Sequence, residues 1–125
     1  MAIKKLQNNF TTAEQSKRLL ELGVPADSAD CFRFSLGKNT SNFGMPRYCY
    51  RPYTELLMYD YSGIYTLLPC WSVGRLIEIF ELCTGVLWQD TAQPSVIQPT
   101  LIERVIETIV LFNKHGHMDF SKLEE

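Results

Sequence analysis

Helix start and stop signals stand at three places in this chain, and the long stretch between the first and second has a different period altogether. Thr11 with Glu14 three residues on has the pattern of a capping box, with Phe10 ahead of it as the apolar residue before the cap. Ala13 to Leu22 are good helix formers anchored by Leu19, Leu20 and Leu22. Gly23 suits the left-handed position after a helix, and Pro25 forbids continuation. Ala26 to Asp30 add one short turn. The second helix opens at Ser72, a good N-cap, with Trp71 placed to staple onto Leu76. Val73, Leu76, Ile77 and Phe80 share its apolar face, and Gly85 closes it. A third helix opens with the pair Thr100 and Glu103 and ends at Gly116, with Lys114 and His115 suiting its negative end. Its stripe of Leu101, Val105, Ile109 and Phe112, flanked by Ile102, Ile106 and Val110, is wide enough for a buried helix or one that also meets a partner.

Between these helices the chain reads as strands. Cys31 to Leu36 alternate apolar and polar residues, and Arg47 to Arg51 resume the alternation with Tyr48 and Tyr50 on one face and Arg47 and Arg51 on the other. A polar loop, Gly37 to Gly44, separates them. Thr54 to Tyr59 and Ile64 to Leu68 flank Asp60-Tyr-Ser-Gly63, which suits a type I turn and hence a hairpin. Pro69 ends the sheet on this reading, and Val86 to Gln89 suggest an edge strand. The expectation is a single α+β domain over residues 1–125. It has a small antiparallel sheet of three to four strands with three helices packed mainly on one side. Residues 1–10 and 118–125 should be loosely ordered, the latter unless Phe120 docks.

A chain of 125 residues is long enough to bury about two thirds of the surface its unfolded form exposes. The longest apolar run, Ile109 to Phe112, is far short of a membrane span, and no signal peptide is apparent. Cys31, Cys49, Cys70 and Cys83 form no CxxC pair, so they read as reduced thiols of a cytoplasmic protein.

Part of the chain has a family look. Thr12-Ala-Glu-Gln-Ser-Lys-Arg-Leu-Leu-Glu-Leu-Gly-Val-Pro25, Ala26-Asp-Ser-Ala-Asp30, Leu68-Pro-Cys-Trp-Ser-Val-Gly-Arg-Leu-Ile-Glu-Ile79 and Glu103-Arg-Val-Ile-Glu-Thr-Ile109 cover about half of it. This resembles small uncharacterised proteins of gut anaerobic bacteria and their phages or mobile elements, in which an EQSKxLLxLG helix leads to a P-x-W-S helix start. The resemblance implies a small α+β cytoplasmic protein and carries over no catalytic or ligand residue.

Charge and aromatic content single out one region. All six tyrosines lie between Tyr48 and Tyr65, and residues 31–54 carry Arg33, Lys38, Arg47 and Arg51 with no acidic residue. That run has a formal charge of +4 in a chain of −2. Arg33, Arg47, Tyr48, Tyr50, Arg51 and Tyr53 are therefore the candidate binding residues, with Phe32 and Phe34 beside them. Aromatic faces can stack on bases while arginines meet phosphates. Strand alternation, however, sends Tyr48/Tyr50 and Arg47/Arg51 to opposite faces, and Phe and Tyr are ordinary strand residues. Tyr and Arg are equally favoured anchors for a protein partner.

Other chemistry finds less support. Cys70, just ahead of a helix start, is the best-placed thiol for nucleophilic work, but a buried inert cysteine fits as well. His115 and His117 with Asp119 make a nonspecific ligand pattern at a helix end, so no metal is expected. Glu78 with Glu81 and Glu103 with Glu107 read as solvated helix faces, and the glycines form no nucleotide-binding loop. The reading is a small non-enzymatic interaction protein without cofactors. It binds a protein partner or itself through the tyrosine-rich strands or the last helix. The alternative is a nucleic-acid-binding accessory protein using residues 31–54.

Overall fold

A computed structural model of the protein describes residues 9–36, 43–49, 65–91 and 100–124, which form an α+β structure. Beside three short 3₁₀ turns, three α-helices and one three-stranded sheet are the regular elements among them. These are α1 (Ala13–Leu22), β1 (Cys31–Leu36), β2 (Arg47–Tyr48), β3 (Tyr65–Cys70), α2 (Val73–Thr84) and α3 (Leu101–Lys114). Residues 54–64 of the expected hairpin, with its turn, lie outside the described residues. No helix among the described residues is long and apolar enough to cross a membrane.

The first helix starts one residue later than the Thr11–Glu14 pair suggests. Thr12 is the N-cap: its hydroxyl accepts the Gln15 amide at 3.1 Å, and Gln15 Oε1 accepts the Thr12 amide at 2.9 Å. Thr11 cannot cap because the sheet has claimed it. Its amide donates to the Trp71 carbonyl, its Oγ1 accepts the Trp71 amide at 3.0 Å, and its hydroxyl bonds the Ser16 hydroxyl at 2.7 Å. Phe10 pairs with Ser72 as a single antiparallel bridge. The segment leading into α1 is thus an added rung on β3. At the other end, Gly23 sits at φ 103° while the amides of Gly23 and Val24 reach the carbonyls of Leu20 and Leu19, the bond pair of a Schellman stop.

The sheet order is β2-β1-β3, all antiparallel. Cys31 lies opposite both Cys70 and Tyr48, and Phe32 opposite both Pro69 and Arg47. The strand therefore runs through Pro69 to Cys70 instead of ending before it. Trp71 gives both its amide and its carbonyl to Thr11. Alternate residues of a ladder face the same neighbour, so the position of Pro69 without an N–H also points away from β1 and costs that pairing nothing.

β1 is buried on both faces, contrary to the polar-out alternation of its sequence. Cys31, Arg33 and Ser35 are buried on one face, where Arg33 reaches the Thr11 carbonyl. Phe32 packs with Leu67 and with partly buried Ala26, Phe34 and Cys49.

The main core is helical. Leu19, Trp71, Leu76, Ile79, Phe80, Val105 and Ile109 have no exposed surface. Ser72 caps α2 as expected, accepting the Arg75 amide at 3.2 Å, and is itself held by Asp30, whose carboxylate accepts its amide at 2.9 Å and its hydroxyl at 2.5 Å. The indole N–H of Trp71 donates to Ser28 Oγ at 3.1 Å, which lets the ring be fully buried without an orphan donor.

One expectation changes here, and two open alternatives are resolved. Trp88–Asp90 form a 3₁₀ turn, not an edge strand, because Glu81 accepts the Trp88 amide at 2.9 Å and the indole stands edge-on to Phe80 at 5.7 Å. The apolar face of α3 is spent internally: Ile102, Val105, Ile106, Thr108 and Ile109 are buried, leaving only Leu101 and Leu111 as large exposed apolar residues. It is not a free partner-binding face. The tail is docked. Asp119 donates its amide to the Cys83 carbonyl, Phe120 lies against Gly23, and Met118 and Leu123 join Phe120 on the helical core.

Candidate functional site

β2 presents two adjacent side chains to opposite sides, as strand alternation requires. Tyr48 shares the face of Cys31 and stands edge-on to Phe10, with ring centroids 6.0 Å apart. Arg47 shares the face of Phe32, and its guanidinium lies over Phe34 at 5.1 Å. Both are exposed, Tyr48 to 64%. Tyr50, Arg51 and Tyr53 lie outside the described residues.

Arg33 does something different from what its charge suggested. It is only 9% exposed, its Nε donates to the Thr11 carbonyl and one terminal nitrogen to the Gly44 carbonyl, each at 3.0 Å. The Thr11 carbonyl also accepts the Cys70 thiol at 3.4 Å. Gly44 in turn gives its amide to the Phe34 carbonyl at 2.9 Å. Arg33 is a cross-tie holding the Phe10–Thr11 segment and residues 43–48 to the two sides of the sheet, and is not presented to a phosphate. Phe32 is buried and likewise unavailable for stacking.

Those two tied segments enclose an apolar cleft of about 380 Å³, lined by Asn9, Phe10, Met45, Pro46, Tyr48, Ser72 and Val73. Met45 is 66% exposed at its mouth. The volume lies at the small end of the range for ligand pockets. The Ser72 amide and hydroxyl both go to Asp30, so Asn9 and the Tyr48 phenol are the polar side chains left on a mainly apolar lining. Only Tyr48 of the cleft was among the residues singled out by charge and aromaticity. The legible signal for the rest was the pair Met45-Pro46, apolar side chains at the end of a polar loop. Phe10 was hidden because it reads as a helix-entry residue.

The thiols are poor nucleophiles. Cys70 has no exposed surface, and burial pushes its thiol up, an effect that the Thr11 contact and the Arg33 guanidinium only partly offset. Burial and the Asp30 carboxylate push the Cys31 thiol up further. Cys49 and Cys83 are both raised to about 11, again chiefly by burial. All four are free thiols. His115 and His117 are exposed, with His117 edge-on to Phe112 at 6.1 Å. Among the described residues no three His, Cys, Asp or Glu side chains gather closely enough to hold a metal ion.

A second, more polar hollow of about 320 Å³ lies between Pro25, Ala26, Asp27, Ser28, Arg75, Leu123 and Glu124. There Arg75 is committed to the Ser28 carbonyl at 2.7 Å. Compared with family models, with curated proteins and with solved structures, the chain finds no match.

Proposed function

We propose that this is a small macromolecular-interaction protein that acts by binding, with the cleft between Phe10 and residues 45–48 as its contact surface. The observation that carries the reading is the contrast within one sheet. Phe32, Leu67 and Leu68 are buried in packing and Leu36 is exposed at the end of β1, while Tyr48 and Met45 stand exposed beside an apolar hollow. Exposed apolar surface of this kind marks interaction sites. A mobile-element origin rests on the resemblance of residues 12–30, 68–79 and 103–109 alone.

The partner is a protein or a second copy of this chain. Leu82, Val86 and Leu87, exposed around the end of α2, give self-association a separate surface. Nucleic acid is the second reading, favoured by the exposed Arg47 beside Tyr48 and weakened by the burial of Arg33. Sedimentation of the wild type, Tyr48→Ala and Leu82→Ser/Leu87→Ser proteins tests self-association. Titration with short oligonucleotides at low and moderate salt tests the second reading. Binding that falls steeply with salt and is lost in Arg47→Ala would replace the protein-binding reading.

A further inference from the structure

We propose that Cys31 and Cys70 close into a reversible disulfide between β1 and β3 when a peroxide reaches them, and that the Phe10–Thr11 rung controls that access. The two residues lie directly opposite each other in the antiparallel ladder, so their side chains leave the same face of the sheet. Both are free thiols with no exposed surface. They are close enough that charge on Cys70 opposes ionisation of Cys31.

The register fixes the spacing. The Cys49 amide donates to the Asp30 carbonyl, so Asp30 and Phe32 turn their backbone groups toward β2 and Cys31 turns its own toward β3. Pro69, which has no N–H, stands opposite Phe32, as that phase requires. Cys31 and Cys70 are therefore a hydrogen-bonded pair, whose Cα atoms stand about 5.5 Å apart, inside the range a disulfide spans. Their Cβ atoms, also about 5.5 Å apart, lie farther from each other than the ~3.8 Å of a relaxed bridge. A bridge closed under that tension is one that small thiols reduce readily, which makes the step reversible. Cys49 follows Tyr48, the residue opposite Cys31, and so points to the other face. Cys83 belongs to the helical core.

Access is governed by the segment ahead of α1, which lies against the Cys70 sulfur. The Cys70 thiol donates to the Thr11 carbonyl at 3.4 Å, and Arg33 Nε donates to the same oxygen at 3.0 Å. Before Thr11 the segment is held by the Phe10–Ser72 bridge. Lifting it uncovers Cys70 beside the Arg33 guanidinium, whose charge favours the thiolate. The Cys70 thiolate then attacks one peroxide oxygen, the O–O bond breaks, and a sulfenic acid and water result. The Cys31 sulfur attacks the Cys70 sulfur, the S–O bond breaks, and a second water leaves with the Cys31 proton. Two thiols give up two electrons and two protons, and one peroxide becomes two waters. The bridge also removes the thiol proton that the Thr11 carbonyl accepts. Arg33 is then its remaining donor among the described residues, and the Phe10 wall of the cleft is tied more loosely.

The test treats the full reduced chain with hydrogen peroxide, blocks the remaining thiols with iodoacetamide in denaturant, and reads the product by mass spectrometry. The expected product has lost two hydrogens and takes the blocking group only at Cys49 and Cys83. Peptide mapping should join the Cys31 peptide to the Cys70 peptide, in the wild type and in Cys49→Ser/Cys83→Ser, and reduced glutathione should restore both thiols. Amide exchange at Thr11 should be faster in the oxidised chain than in the reduced one. Thr11→Val, which loosens the rung, should speed the oxidation, whereas Phe120→Ala, which releases the C-terminal turn instead, should not. A bridge through Cys49, or peroxide products on Cys49 and none on the pair, would overturn the inference. Equal acceleration by Thr11→Val and Phe120→Ala would mean that the thiols react only on general unfolding, which would overturn control by the rung. If Cys49→Ser/Cys83→Ser fails to fold, the wild-type map alone decides the pairing.

Discussion

Replacing Arg33 by Met separates a structural tie from a ligand-binding charge. The substitution keeps most of the apolar stem and removes two charge-assisted bonds, to the carbonyls of Thr11 and Gly44. Bonds to charged groups contribute roughly 1.5–3 kcal/mol each, but burying a guanidinium costs several kcal/mol, so the net loss should be about 2–3 kcal/mol. The Thr11 carbonyl retains the Cys70 thiol, which softens the loss on that side. The comparison is Arg47→Met, which loses only an exposed cation–π contact worth about 0.5–1 kcal/mol. Urea unfolding followed by tryptophan fluorescence reads both. With a slope of about 1–3 kcal/mol per molar urea, Arg33→Met should lower the midpoint by about 1 M or more, and Arg47→Met by much less. Amide exchange should also quicken at Thr11 and Gly44 in Arg33→Met, since both segments lose their tie. Equal midpoints for the two variants would refute the argument that Arg33 is spent on the fold.

Thr11→Val keeps the shape but strands the buried Trp71 amide and the Ser16 hydroxyl, so it should cost about 2–4 kcal/mol in the same unfolding assay. Phe120→Ala should release the C-terminal turn from Gly23 at a cost of about 1–3 kcal/mol, below that of a fully buried phenylalanine, and limited proteolysis should then cut after residue 118 first. The thiols set an alkaline limit. Below their ordinary pKa of 9.0 they are protonated folded and unfolded alike, and their contribution is intact. As pH rises from there toward about 11, the unfolded chain loses protons that folded Cys49 and Cys83 keep, so stability should fall across that window in a denaturant titration. Iodoacetamide labelling of the native chain at pH 8 should be slow at Cys31, Cys70 and Cys83, faster at half-buried Cys49, and speed up on adding denaturant; rapid labelling of any of the first three would contradict their burial.

Where signals are local, they were readable in the chain. Gly23, Gly85 and Gly116 all take positive φ at or just beyond helix ends. Ser72 caps, and Thr100 accepts the Glu103 amide. Each is decided within one helical turn by orphan amides and by the absence of a Cβ. The shift of the first cap from Thr11 to Thr12 was not readable, because two adjacent threonines offer the same hydroxyl and the choice was made by Trp71, 60 positions away. The Trp88 turn likewise depends on Glu81 and Phe80 from the helix before it.

The sequence by itself determined the α+β class, the helix stops, the caps of the last two helices, the first strand and the opposed faces of Arg47 and Tyr48, since all follow from short-range period and backbone chemistry. Only the tertiary structure decided which of those groups remain free. Residue type does not reveal whether an arginine meets solvent or two carbonyls, nor whether an apolar helix stripe is covered. Arg33 was drawn inward because the Phe10–Thr11 rung brings a carbonyl over β1. The α3 stripe closed on the helical core, and an apolar hollow with exposed walls formed where Phe10, residues 45–48 and Val73, far apart in the chain, meet.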